Sequence, residues 1–514
     1  PRSSHLVSDA EVVRDVLSHP PPAMSTSEVH AAIQALYGQN AEQQKAANAF
    51  LVQFATTPGA WECGLSLLQM PDPSVQYFGA NMLYGKCKSD WATLPESHRG
   101  QFVDAVGGQL NTLANAPGSN LAARRLCLVM AAAATRTGPP AAFALVDKAL
   151  SLASGSDAAT SGVTGITLAL EMQAAIAEET NDAASTSERH QLVDALVPRL
   201  VDVLGTAEAV FVKCTSGDQS LAQLKCAALH AALAWLKLDE RGGGGIVLSP
   251  GQLASSRGPL LHGALGSLSS NDTSVCEKAT EFCVSTLAYG APPSVVPGED
   301  SNAVRGIVAS LVRHGESAIR PENEELARAV CKVAVAVVER DANDVASVNA
   351  SEEFLNLTSL LLTLVETHTD THVIMEAAAD YFLMINTVSF AERHPGLKDP
   401  LFERLIATCL KHATLSSDFV NWQSADVDKD TFTRFREQIL VDLLDNCFGI
   451  VPVRYLGFVS SSFDSAQNWQ QIEASTFVGR AAAGAAKKLV TSKAAERSRE
   501  TPNETRDRTE MEIF

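Results

Sequence analysis

From about residue 27 onward, apolar positions recur at i, i+3, i+4 and i+7 in segments of roughly 12–20 residues. Short runs of Pro, Gly, Ser, Asn and Asp separate them. That spacing keeps one stripe of a 3.6-residue helix apolar, so each segment is predicted to be an α-helix. The segments fall near 27–37, 41–56, 58–70, 73–88, 95–113, 119–136, 139–153, 162–179, 187–213 and 218–238. Others fall near 250–268, 272–289, 302–314, 321–340, 351–366, 370–388, 397–413, 429–447, 451–463 and 467–490. Paired in order, they make about ten antiparallel hairpins at a period of roughly 40–47 residues, the HEAT and armadillo range.

Several segments are apolar on more than one face, as in Leu224-Lys225-Cys226-Ala227-Ala228-Leu229-His230-Ala231-Ala232-Leu233-Ala234-Trp235-Leu236. One hairpin cannot bury two faces, whereas a neighbour on each side can. The fold class expected is therefore all-α, a HEAT/armadillo-type α-solenoid: a superhelix of about ten antiparallel helix pairs. The stretches 241–249 and 290–300 read as connections between repeats. Residues 1–23 end in Pro20-Pro21-Pro22, show no strong periodicity and read as a disordered leader. Met24 follows, with the capping-type run Ser25-Thr26-Ser27-Glu28. The segment 491–514 is polar and charge-mixed and reads as a disordered tail.

Composition narrows the class. Hydrophobic residues make up 46 % of the 514 residues and aromatics only 6 %, a balance that suits Ala- and Leu-rich helices. The net charge of −19 argues against nucleic acid or an anionic membrane as direct partner and fits a partner with its own basic surface. No apolar run approaches the ~18 residues of a membrane span. The ten cysteines form no CxxC pair, and Cys226, Cys276, Cys283 and Cys331 read as reduced core thiols.

The chain carries no P-loop, GxGxxG, HExxH or GxSxG, so neither an enzyme nor a bound cofactor is expected. Asp426-x-Asp428-x-Asp430 with Glu437 imitates a calcium loop. Thr431 stands where the sharp turn needs glycine, so a solvated acidic loop is the expected reading. His368 and His372 share an i, i+4 spacing near Asp370 but straddle a predicted turn, and no metal site is expected. His230 reads as a core histidine. Trp61, Trp235 and Trp469 read as packing anchors between helices.

Two stretches carry a family resemblance. Residues 27–95 hold Ala32-Ile33-Gln34-Ala35-Leu36-Tyr37, Ala60-Trp61, Leu67-Leu68-Gln69, Val75-Gln76-Tyr77-Phe78-Gly79-Ala80-Asn81-Met82-Leu83 with Lys86, and Trp91-Ala92-Thr93-Leu94-Pro95. Arg124-Arg125-Leu126-Cys127-Leu128 follows in the third repeat, and residues 426–486 hold the acidic loop, Phe432-Thr433-Arg434-Phe435-Arg436 and Asn468-Trp469-Gln470-Gln471-Ile472-Glu473-Ala474. This order resembles the transportin-3/importin-13 branch of the importin-beta superfamily, in its N-terminal half.

The resemblance implies a nuclear transport receptor, a karyopherin, shuttling between cytoplasm and nucleus. Its partners would be Ran GTPase in the GTP form, Phe-Gly nucleoporins and protein cargo, with Arg/Ser-rich or other basic proteins among the candidates. Residues 24–138 would be importin-beta N-terminal-like HEAT repeats that bind Ran, and 139–490 further repeats of the exportin-1/importin-beta type. The Ran-facing surface would be the inner helices of the first three pairs. There Tyr77, Asn81, Tyr84 and Lys88 fall at i, i+4, i+7 and i+11, one helix face. Lys45 and Asn48 on the preceding inner helix, and Arg124 on the third, complete the candidate set. Receptors of this branch are about twice as long, so the chain is expected to be a fragment, a truncated gene model or a short product. A different class, a non-transport HEAT-repeat scaffold subunit, fits the same periodicity.

Overall fold

In a computed structural model, the described residues are 26–154, 163–213, 221–238, 248–288, 297–416, 419–423, 428–488 and 491. The leader 1–23, most of the segment 491–514, Asp426 and the stretches 241–247 and 290–296 lie outside them. Residues from Pro297 onward, read as connection, already belong to a helix. The chain divides into two compact units, one running to Val210 and resuming at His230–Val247, the other formed by Phe211–Leu229 and the chain from Leu248.

The first unit contains α1 (Thr26–Leu36), α2 (Ala41–Ala55), α3 (Ala60–Leu67), α4 (Pro73–Asp90), α5 (Glu96–Ala114) and α6 (Asn120–Thr137). It continues through α7 (Pro139–Ser154), α8 (Val163–Asn181), α9 (Thr186–Leu196) and most of α10 (Leu200–Lys213), and takes the second half of α11 (Ala222–Leu236). Consecutive helices pair, α1 on α2, α3 on α4, α5 on α6 and α7 on α8, while α4, α6 and α8 lie side by side as one layer.

The second unit contains α12 (Pro250–Ser267), α13 (Thr273–Ala288), α14 (Pro297–Gly315), α15 (Glu324–Arg340), the short α16 (Ala342–Ala346), α17 (Glu352–Thr367) and α18 (Val373–Ile385). It ends with α19 (Asp399–Ala413), α20 (Lys429–Arg434), α21 (Val441–Ile450), α22 (Pro452–Ser465) and α23 (Trp469–Ala481). Here α13, α15 and α18 form one layer and α12, α14 and α17 the other. Each unit is thus a stack of antiparallel helix pairs, and the fold is an all-α solenoid of the HEAT type. Among the described residues the one strand-like pairing is an isolated bridge between Ser347 and Arg393.

Local chemistry sets the helix starts. The Asn40 side chain accepts from the Glu42 and Gln43 amides to open α2. Asp72 caps Ser74 with Pro73 at the first helical position of α4. Ser185 with Glu188 and Ser249 with Gln252 form capping boxes. Glycine sets one crossing: a Cβ on Gly79 would lie 2.9 Å from the Gly64 carbonyl oxygen and 2.8 Å from Leu67 Cβ, so α3 and α4 approach as only glycine permits.

Three differences from the sequence reading have clear causes. The segment 187–213 is two helices, broken by a tight turn at Val197–Arg199, because Pro198 has no amide to donate. α12 bends at Arg257, two residues before Pro259 inside the helix. The segment 429–447 is helical, but Phe435–Leu440 winds as a wider π-helical turn.

Candidate functional site: a braced face on the first unit

The α4 layer face gathers most of the residues singled out. Val75, Met82 and Leu83 are buried and Phe78 packs against the core, leaving Tyr77 (40 % exposed) and Asn81 outward. Tyr84 is half-buried and Lys88 exposed on the same stripe. Arg124 lies exposed on α6, beside a shallow pocket of about 220 Å³ whose walls include Tyr77, Arg125, Glu171, Glu178 and His230. Lys45 and Asn48 are exposed on α2, and no measured contact joins them to this group.

The face is not a free row of side chains. Lys88 pairs with Asp182, Arg124 with Glu171 at 2.7 Å and Arg136 with Glu179 at 2.8 Å. The Tyr84 hydroxyl donates to Glu179, and the Arg125 guanidinium donates to Asn81 Oδ1 while lying 4.3 Å from the Tyr84 ring centroid. His230 Nε2 stands 2.9 Å from Glu178. The basic side chains thus sit on α4 and α6, with the His230 imidazole on α11, and the carboxylates that meet them all sit on or just beyond α8. Burial, then the Glu179 bond, holds the Tyr84 hydroxyl above its ordinary pKa, and the Asp182 bond raises that of Lys88.

Sequence reasoning missed the partners. Arg125 stood beside Arg124 but periodicity could not show that its guanidinium folds back over Tyr84. A signal for α8 was present: Glu171, Glu178 and Asp182 fall at i, i+7 and i+11, the spacing of Tyr77, Tyr84 and Lys88 on α4. His230 is not a core histidine, because its side chain reaches out of the apolar helix to Glu178. Trp61 packs against Trp91 and Phe102, and buried Trp235 donates to the Gln173 carbonyl, both as anchors. Trp469 is not buried: it opens α23 with 53 % of its surface exposed.

The other sequence candidates have local roles. Asp428 caps α20 through the Asp430 and Thr431 amides, and Glu437 pairs with Arg480. His368 donates from Nε2 to the Ala318 carbonyl oxygen, 2.8 Å away, and so takes a local role in the fold. Burial pushes the thiols of Cys283, Cys331 and Cys409 up to about 12. No described helix is long and apolar enough to cross a membrane. What this face can offer is hydrogen bonding and charge complementarity, which govern association rate and specificity.

No family model matches the chain. Curated relatives do: it is 23 % identical to human importin-13 over 464 residues, which is 86 % of this chain and 45 % of the relative. The same extent is 23 % identical to importin-13 of Pongo abelii and 22 % to that of Mus musculus. The chain thus spans a little under half the length of these relatives. A solved structure described as importin13 in its cytosolic state superposes with a TM-score of 0.60 at 15 % identity, over 79 % of this chain and 46 % of that one. In sequence and fold the chain is thus similar to importin-13, of the importin-beta superfamily.

Proposed function

We propose that the chain works as a nuclear transport receptor that acts by binding rather than catalysis and shuttles between cytoplasm and nucleus. Its ligands would be Ran in the GTP form, Phe-Gly nucleoporins and protein cargo, which includes basic and Arg/Ser-rich proteins. The observation that carries this reading is the likeness to importin-13 over 86 % of the chain. The α4 layer face of the first unit, within the segment 24–138 that we assign to Ran, is where Tyr77, Asn81, Tyr84, Lys88 and Arg124 would meet the GTPase. Lys45 and Asn48 would extend that contact along α2.

In the full receptor, Ran-GTP would displace imported cargo because it favours one conformation of the solenoid over another, which couples the two binding events. Pull-down with Ran locked in its GTP form, against Ran-GDP, tests the proposal. A transport receptor retains the GTP form selectively. Equal or absent retention of both forms would instead favour a non-transport HEAT-repeat scaffold.

A further inference from the structure

The second unit contains a cleft of about 750 Å³ between the start of α18, the end of α19, α22 and α23, a volume within the range of ligand sites. Aromatic rings form much of its wall. Phe419 and Trp422 meet edge to face at 4.9 Å, and Trp422 lies 5.6 Å from Phe432. Two histidines line the same cleft.

His412 is 2 % exposed, and its Nε2 lies 2.8 Å from the Val365 carbonyl oxygen. A carbonyl only accepts, so Nε2 carries the proton, and in the neutral ring Nδ1 is left as a lone-pair acceptor. That Nδ1 is buried without a partner. His372 stacks on Phe435 with ring centroids 4.1 Å apart, and neither of its nitrogens has a partner. Burial keeps both rings neutral: it lowers the pKa of His412 and brings that of His372 down to about 4.

A buried orphan acceptor is destabilising until a donor reaches it. A group that satisfies this acceptor must bring an O–H or N–H. Carboxylates and phosphates bring acceptors alone, the wall carries Asp370 as well as the exposed Lys411, and the nearby Arg436 is already held by Glu473. The rim hydroxyls of Ser462 and Ser465 donate to their own helix backbones and keep lone pairs for the amides of a bound chain.

We propose that this cleft receives a phenolic ring, the side chain of a tyrosine presented by a partner polypeptide, with its hydroxyl donating to Nδ1 of His412 and its ring against Phe419, Trp422 and Phe432. The His372 N–H then serves the hydroxyl oxygen, and the serine rim serves the flanking backbone.

The test uses the whole chain, labelled with 15N-histidine, titrated with p-cresol, N-acetyl-tyrosinamide, toluene and phenyl phosphate. Saturable shifts of the His412 ring nitrogens with the first two, at least tenfold weaker with the last two, are expected. Trp422→Ala, on the half-buried wall, should lose this binding while the circular dichroism melt stays in place, and His412→Phe should erase the preference for p-cresol over toluene. Equal binding of toluene overturns the proposal in favour of an apolar cleft, and tighter phenyl phosphate in favour of an anion site. Binding of p-cresol without N-acetyl-tyrosinamide overturns the tyrosine source, and binding of none of the four overturns the site.

Discussion

Arg436 and Glu473 meet in a two-pronged pair, Nη1 to Oε1 at 2.8 Å and Nη2 to Oε2 at 2.6 Å. Arg436 is 9 % exposed, and its guanidinium lies 4.6 Å from the Phe432 ring centroid and 4.8 Å from that of Phe477 and also donates to the Ala413 carbonyl. It therefore ties the π-helical turn at once to α19 and to α23. A planar fork is what this geometry requires, and an ammonium cannot reproduce it. Arg436→Lys should lower the stability of the second unit by about 1–2 kcal/mol, and Arg436→Ala by about 3 kcal/mol. Urea midpoints at fixed pH measure both.

The glycines of α4 predict opposite signs within one helix. Gly79→Ala drives a methyl into the Gly64 carbonyl oxygen and Leu67, and should cost about 1–3 kcal/mol. Nothing lies within 4 Å of a Cβ placed on Gly85. Gly85→Ala should therefore stabilise the helix by up to ~1 kcal/mol. Thermal melts of the two variants, side by side, check the pair.

Acid should weaken the second unit through its buried histidines. An unfolded imidazole takes its proton near 6.5, whereas folded His372 resists until about 4. Between those values the unfolded chain binds a proton that the folded one refuses. The contribution is complete above pH 6.5, declines as pH falls, and is gone below about 4. His412 and His314 are shifted in the same direction by burial. Urea midpoints should fall between pH 7.5 and 5, and His372→Phe should flatten that slope.

On the proposed Ran face, Tyr77→Ala removes an exposed aromatic that takes no part in the ion pairs to α8. It should weaken binding of the GTP form about tenfold, on the order of 1.4 kcal/mol, and leave the melting temperature within a degree or two. Lys88→Glu should lower both, since it sets a carboxylate against Asp182. Titration calorimetry with Ran-GTP, paired with melts, separates the two effects.

Much of the fold was readable because helix period and breaker residues are local signals. The segments 41–56, 73–88, 119–136 and 351–366 match α2, α4, α6 and α17 to within two residues at either end. Pro198 ends a helix on the same local grounds, a signal that the period of roughly 40–47 residues by itself does not carry. The candidate site was readable only in part. Periodicity places Tyr77, Asn81, Tyr84 and Lys88 on one stripe, but it carries no information on what crosses that stripe. Glu179 and Asp182 lie some 95 positions away, and their meeting with Tyr84 and Lys88 depends on how three helices lie together. The outward turn of His230 and the exposure of Trp469 escaped for the same reason. Residue type suggests burial, while the neighbouring helix decides it.

The carboxylates of α8 reach over α6 to side chains of α4, so three adjacent helices are guyed together like a mast and its stays. Such stays are partly solvent-exposed, and an exposed pair fades once the Debye length shrinks toward 3 Å near 1 M salt. Ionic strength is then a tuning screw for the stiffness of this segment. At low salt all of these stays hold, whereas at high salt the more exposed Lys88–Asp182 and Arg124–Glu171 pairs slacken and the Arg136–Glu179 pair, with its carboxylate buried, remains.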